Sequence, residues 1–150
     1  MVRARTEGGR PAWDNIVRTE HWDVLHAYDS QLLGWLILVT LEHRDSLADL
    51  FDAEADELGR LTRDISLALA DLTGCPKTYL AQFAENPDHQ HVHVHLVART
   101  AAIAENRRGP RAFALLGADE DERVPEADMN ELALGLRAHP ALAAWISEGA

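Results

Sequence analysis

Four of the eight histidines of this 150-residue chain fall in one short segment, His89-Gln90-His91-Val92-His93-Val94-His95-Leu96-Val97, at every second position. In an extended strand, alternate side chains point to opposite faces. His91, His93 and His95 therefore share one face, and His89 joins them if the strand begins early. Val92, Val94 and Leu96 share the other face and suit a core. A slip of one residue would bury the imidazoles, so the register is well specified. Unperturbed imidazole titrates near ~6.5, which lets it serve as nucleophile, base, acid or cationic donor after a small shift. Neighbouring imidazoles repel when all are charged and titrate as a coupled set. Such a face suits an anion. Three readings are open on spacing alone: a row of solvated histidines without a role, a His-x-His half-site for zinc completed by His43 or His26, and nucleophilic or electrostatic work on a phosphate ester.

Several elements must position that strand. Residues 22–28 mix aromatic, β-branched and His side chains and end at the turn-prone Asp29-Ser30, which reads as a strand. After Gly34 the run Trp35-Leu36-Ile37-Leu38-Val39-Thr40 fits a strand buried on both faces. Asp52 is suited to cap a helix over 53–73, with Leu58, Leu61, Ile65, Ala68, Leu69 and Leu72 at spacings of three and four. Glu54, Asp56 and Glu57 suit its first turns, and Gly74 its end. Residues 77–83 read as a third strand, Asn86-Pro87-Asp88 as a turn, and 91–98 as a fourth strand. Pro125 opens a helix that runs to 138, and Pro140 breaks it. Leu142, Trp145 and Ile146 suggest a last short helical turn. Short turns between strands imply antiparallel pairing, so the fold class is α+β.

Length fits one domain, expected over 13–150 behind a flexible polar lead over 1–12. Neither a secretory leader nor a bilayer-spanning run is present, so a cytoplasmic location is expected. The single cysteine, Cys75, permits no intrachain disulfide and no cysteine-based zinc site. A formal net charge of −11 opposes nucleic acid and anionic membranes as partners, while leaving room for a small phosphate-bearing ligand in a locally favourable pocket.

The heptad His91-Val92-His93-Val94-His95-Leu96-Val97 resembles the signature of the histidine-triad (HIT) superfamily: His, apolar, His, apolar, His, apolar, apolar. Upstream, Gly34-Trp35-Leu36-Ile37-Leu38-Val39, then Glu42-His43 and Leu47-Ala48-Asp49-Leu50, looks like the family's second strand and its lead into the long helix. The resemblance spans roughly 22–99. It implies a HIT-like antiparallel sheet, usually in a homodimer, binding a purine nucleotide without metal or other cofactor. It also implies a hydrolase or transferase acting on phosphoramidates, dinucleoside polyphosphates or nucleotidyl sugars. By position, His93 would attack the α-phosphorus and form a nucleotidyl-histidine, its other ring nitrogen donating to a backbone carbonyl. His95 would hydrogen-bond phosphate oxygens, and His91 would support the leaving group. Fixed donors around the transition state would supply most of the catalysis.

Two departures stand out. Where the family often has a fourth histidine, after the glycine of the second strand, this chain has Trp35. That role is then vacant, or is filled by His43 or His89. The loop before the triad is Glu85-Asn86-Pro87-Asp88-His89-Gln90, whose acids oppose an anion. A nucleotide-binding module with little catalysis is therefore the alternative reading, with a His-ligated zinc protein behind it. Gln82 is a candidate for phosphate contact or a plain strand residue. Asp29 is a candidate for ribose contact or a turn former. Trp35 shapes the pocket or fills the core. Arg107, Arg108 and Arg111 form a basic island that reads as a solvated loop. His21, His26 and His139 carry no assignment.

Overall fold

The computed structural model describes residues 9–146. Five strands and two long helices follow one another: β1 (Val17–Arg18), β2 (Trp22–His26), β3 (Trp35–Thr40), α1 (Asp52–Thr73), β4 (Lys77–Gln82), β5 (His93–Arg99) and α2 (Glu126–Ala138). The strands form one antiparallel sheet in the order β1-β2-β3-β5-β4. The expected α+β class is the one observed. Among the described residues no helix is long and apolar enough to cross a membrane.

The histidine strand sits between β3 and β4, so it is an interior strand. Its even residues Val94, Leu96 and Ala98 are buried with Leu36 and Leu38 of β3 and with Leu61, Ile65, Ala68 and Leu69 of α1. This period-2 face meeting a helical stripe makes the main core. Leu72, expected in that stripe, is 43 % exposed. On the other sheet face lies a smaller cluster of Ala27, Leu32, Trp35, Val97, Ile103, Ala112 and Leu115. Two 3₁₀ turns, Glu105–Arg107 and Gly109–Leu115, cover it. β3 is thus packed on both sides, as its unbroken apolar run suggests.

Element ends differ from expectation for local reasons. β2 stops at His26 because Ser30 Oγ turns the chain, accepting from Leu32 N–H and donating to Leu32 O. β4 stops at Gln82, and Ala84 takes a φ of 54° that bends the chain away. β5 begins at His93, two residues late, because Val92 N–H goes to Arg44 O at 2.7 Å. Asp52 lies inside α1; Phe51 stands at its cap, and Glu54 accepts the Phe51 N–H at 2.7 Å. Pro125 caps α2 from outside, so the helix starts at Glu126, one residue later than expected. The expected final turn forms over Pro140–Trp145 and buries Leu142.

Of the expected flexible lead, residues 1–8 lie outside the described residues. Arg10 is held against the body, 3.2 Å from both Asp14 and Asp23, and Ala12–Asp14 form a 3₁₀ turn. Gly34, at the entrance to β3, has a φ of +94°, and a Cβ there would lie 2.8 Å from Ala98 Cβ. Only glycine meets both demands.

Candidate active site

β5 displays His93 and His95 on the sheet face opposite α1. Cross-strand partners share that face: Val39 opposite His93, Ile37 and Ala81 opposite His95, Trp35 and Tyr79 opposite Val97. The His93 and His95 rings meet edge to face, with centroids 5.1 Å apart. His93 Nδ1 lies 2.9 Å from His91 O, so Nδ1 carries the proton and donates, leaving a lone pair on Nε2.

His91 precedes the strand and turns away from the other two rings. Its Nδ1 accepts Arg44 N–H at 3.2 Å, and its Nε2–H donates to Thr40 O at 3.0 Å with Thr40 Oγ1 at 3.1 Å. The segment that holds it is itself tied to α1, since Arg44 Nε lies 3.0 Å from the buried Glu54 carboxylate. His43 stacks on His91 with centroids 5.0 Å apart and sits 2.8 Å from Asp45. The link from His91 to His93 is therefore a backbone carbonyl.

His95 is held from the opposite side. Trp35 Nε1–H donates to His95 Nδ1 at 3.0 Å. An indole nitrogen only donates, so the His95 proton is on Nε2. Phe113 stands edge-on to both rings, 5.0 Å from each, and Phe83 stands edge-on to Phe113 at 5.2 Å. His95 is 7 % exposed and Trp35 fully buried. Burial first, and then the charge of a protonated His93, hold the His95 pKa down to about 4, with Asp29 pulling the other way. His95 is thus a neutral N–H donor at ordinary pH. His95 Nε2 has no protein partner among the described residues and is reached by solvent.

The remaining candidates divide. Trp35 is fully buried in the core, and its indole reaches His95. That contact is made by the Trp35 indole and not by His43 or His89. His89 lies exposed in the turn after β4, with its backbone N–H on Asn86 O, and is not brought to the other rings. Gln82 pairs with Val94, which places it on the α1 face of the sheet, away from His93 and His95. A strand position read without its partner gives no face, and here the register decides it. Asp29 Oδ2 accepts Gly117 N–H at 3.1 Å and Asp29 O accepts Ala118 N–H, so the residue ties the covering turns to the sheet. Arg107, Arg108 and Arg111 are exposed on those turns.

His26 is fully buried between β2 and β3, its Nδ1–H on Ala27 O and its Nε2 accepting Gly34 N–H at 3.0 Å. Burial lowers its pKa to about 4, the Ala27 bond opposing. Among the described residues no group of three or more His, Cys, Asp or Glu is placed to hold a metal ion. Sequence reading missed Thr40 and Arg44, which carry no motif. Phe113 had a weak signal as part of an apolar island in a polar stretch.

No family model matches the chain, and no curated protein matches it. Solved structures do. A histidine triad protein from Bradyrhizobium japonicum superposes with a TM-score of 0.67 at 22% identity, over 82% of this chain and 87% of that one. One from Marinobacter aquaeolei gives 0.65 at 19%, over 94% and 98%. The diadenosine triphosphate hydrolase of Plasmodium falciparum gives 0.60 at 16%, over 83% and 74%. The chain therefore has the histidine-triad fold, with His93 and His95 on an interior strand of its sheet and His91 just ahead of it.

Proposed function

We propose that the chain binds a purine nucleotide and acts as a nucleotidyl hydrolase or transferase at its α-phosphate, through His93. One observation carries this reading: His93 Nδ1–H is engaged by the His91 carbonyl, which leaves the Nε2 lone pair as the one that can attack. Beside it, His95 offers a fixed N–H to the oxygens on which charge develops. The Nε2 lone pair forms a bond to the α-phosphorus, the bond to the leaving group breaks, and water then displaces His93 from phosphorus. Phe83, 59 % exposed, and Phe113 give an aromatic surface near the histidines that suits a base. The hydrolase among the superposed structures acts on a substrate of this class, which supports the reading. A homodimer is part of the same proposal: edge strand β4 leaves Leu80 58 % exposed, apolar surface that a second copy would cover.

Incubation with diadenosine triphosphate should release AMP, and protein denatured at alkaline pH, where the N–P bond survives, should carry AMP on His93. His93→Ala should abolish the adduct and reduce turnover by at least about 10³-fold. Unchanged turnover in that variant overturns the nucleophile assignment. AMP binding by the wild-type chain with neither adduct nor release favours the binding module.

A further inference from the structure

The two histidines that flank His93 each accept a hydrogen bond on Nδ1, so on neither ring is that nitrogen open to take up a proton and pass it on. On His91 both nitrogens are engaged: Nδ1 accepts from Arg44 N–H and Nε2–H donates to Thr40. On His95 the constraint comes from the indole. Trp35 Nε1–H occupies Nδ1, and protonating that nitrogen would set N–H against N–H where Trp35 is fully buried. Burial of an unpaired donor is costly, so the ring stays neutral. An imidazole at position 35 could accept a proton and pass it on; an indole cannot. The charged and titratable groups acting on His95 are His93 on its own strand and Asp29 from the segment after β2. Asp29 is already engaged by Gly117 N–H, and the other walls, Phe113 and Trp35, are uncharged. The site so described offers donors and a nucleophile but no general acid.

We propose that Trp35 makes this site selective for leaving groups that depart as anions, so that it cleaves phosphoanhydrides and spares phosphoramidates. The proposal rests on the His93 reading and narrows its substrate class. In an anhydride, the His93 Nε2 lone pair bonds to the α-phosphorus and the bond to the bridging oxygen breaks. The electron pair stays on that oxygen, and the leaving nucleoside phosphate departs as a stable anion without any proton. Water then bonds to phosphorus, the N–P bond returns its pair to Nε2, and the water proton is released to solvent. In a phosphoramidate the same attack breaks a P–N bond. The amine must be protonated as it leaves, and general-acid help of that kind contributes about 10²–10⁴-fold. Trp35 acts here as a positioning residue, through His95.

The test uses two substrates of one nucleoside, diadenosine triphosphate and an adenosine 5′-N-alkylphosphoramidate, with kcat/KM followed by AMP release. The wild-type chain should favour the anhydride by at least about 100-fold. Trp35→His should raise amide turnover relative to anhydride turnover by about 10-fold or more, while Trp35→Phe should not. Ring-nitrogen NMR on ¹⁵N-histidine protein gives a readout independent of turnover: His95 should hold its proton on Nε2 and remain neutral through pH 5. In Trp35→Phe it should lose that fixed tautomer. The wild-type measurements stand alone if a variant fails to fold. Comparable kcat/KM for the two substrates in the wild type, or a His95 proton on Nδ1, overturns the proposal and leaves the His93 reading intact. Release of AMP from neither substrate overturns both.

Discussion

The two ends of the triad are fixed in the same tautomeric sense by different means. His91 is held by backbone: Arg44 N–H on one side, Thr40 O on the other. His95 is held by a side chain, the Trp35 indole, sixty positions away in sequence. The backbone clamp engages both nitrogens, and the ring stacks on His43. The indole clamp engages one nitrogen and leaves Nε2–H without a protein partner among the described residues. The same residue type at the same spacing thus becomes a structural tie at one end and a presented donor at the other.

Each clamp can be broken without the other. The largest effect is expected at the His91 end. Arg44→Ala keeps the backbone N–H on His91 but unties that segment from α1, leaves the buried Glu54 carboxylate without its cation, and should cost about 3 kcal/mol in urea unfolding. His91 ring resonances should shift while those of His95 stay, and matching shifts at both would erase the contrast. Next comes Trp35→Phe, which keeps an aromatic ring but strands His95 Nδ1. A cost of about 1–3 kcal/mol is expected, with His91 unmoved. Thr40→Val should matter less, under about 1 kcal/mol, because Thr40 O still accepts the His91 proton. A Thr40 effect larger than the Trp35 effect would reverse the comparison.

Acid sharpens it further. His26 and His95 both have pKa values lowered to about 4 by burial. Their folded values lie below the unfolded ~6.5, so the unfolded chain binds more protons between the two. Stability is then full above about pH 6.5 and falls as pH drops toward about 4. Urea midpoints measured across that range should decline, and a flat profile would show both rings freely protonated in the folded chain.

Much of this was legible in the chain. Val92, Val94 and Leu96 alternate with histidines, and all three are buried in the core. The α1 stripe and the two-sided burial of β3 follow from periods of 3.6 and from an unbroken apolar run. Position 35 was legible as a departure from the histidine-triad pattern, yet its consequence was not, because an indole reaching a specific nitrogen is a matter of packing. Gln82 shows the same limit, since pairing with Val94 rather than with His95 settles its face. Phe113 illustrates distance: a residue in a polar stretch becomes part of the site only once the 3₁₀ turns fold back over the sheet.

The sequence by itself determined which side chains share a face of β5, because alternation along a strand is a local property of the backbone. It also determined that such a strand needs an apolar partner layer, which α1 supplies. Tertiary structure alone decided which nitrogen of each histidine holds the proton. That choice depends on donors and acceptors brought from β3, from Arg44 and from His91's own carbonyl, and no spacing rule carries their positions.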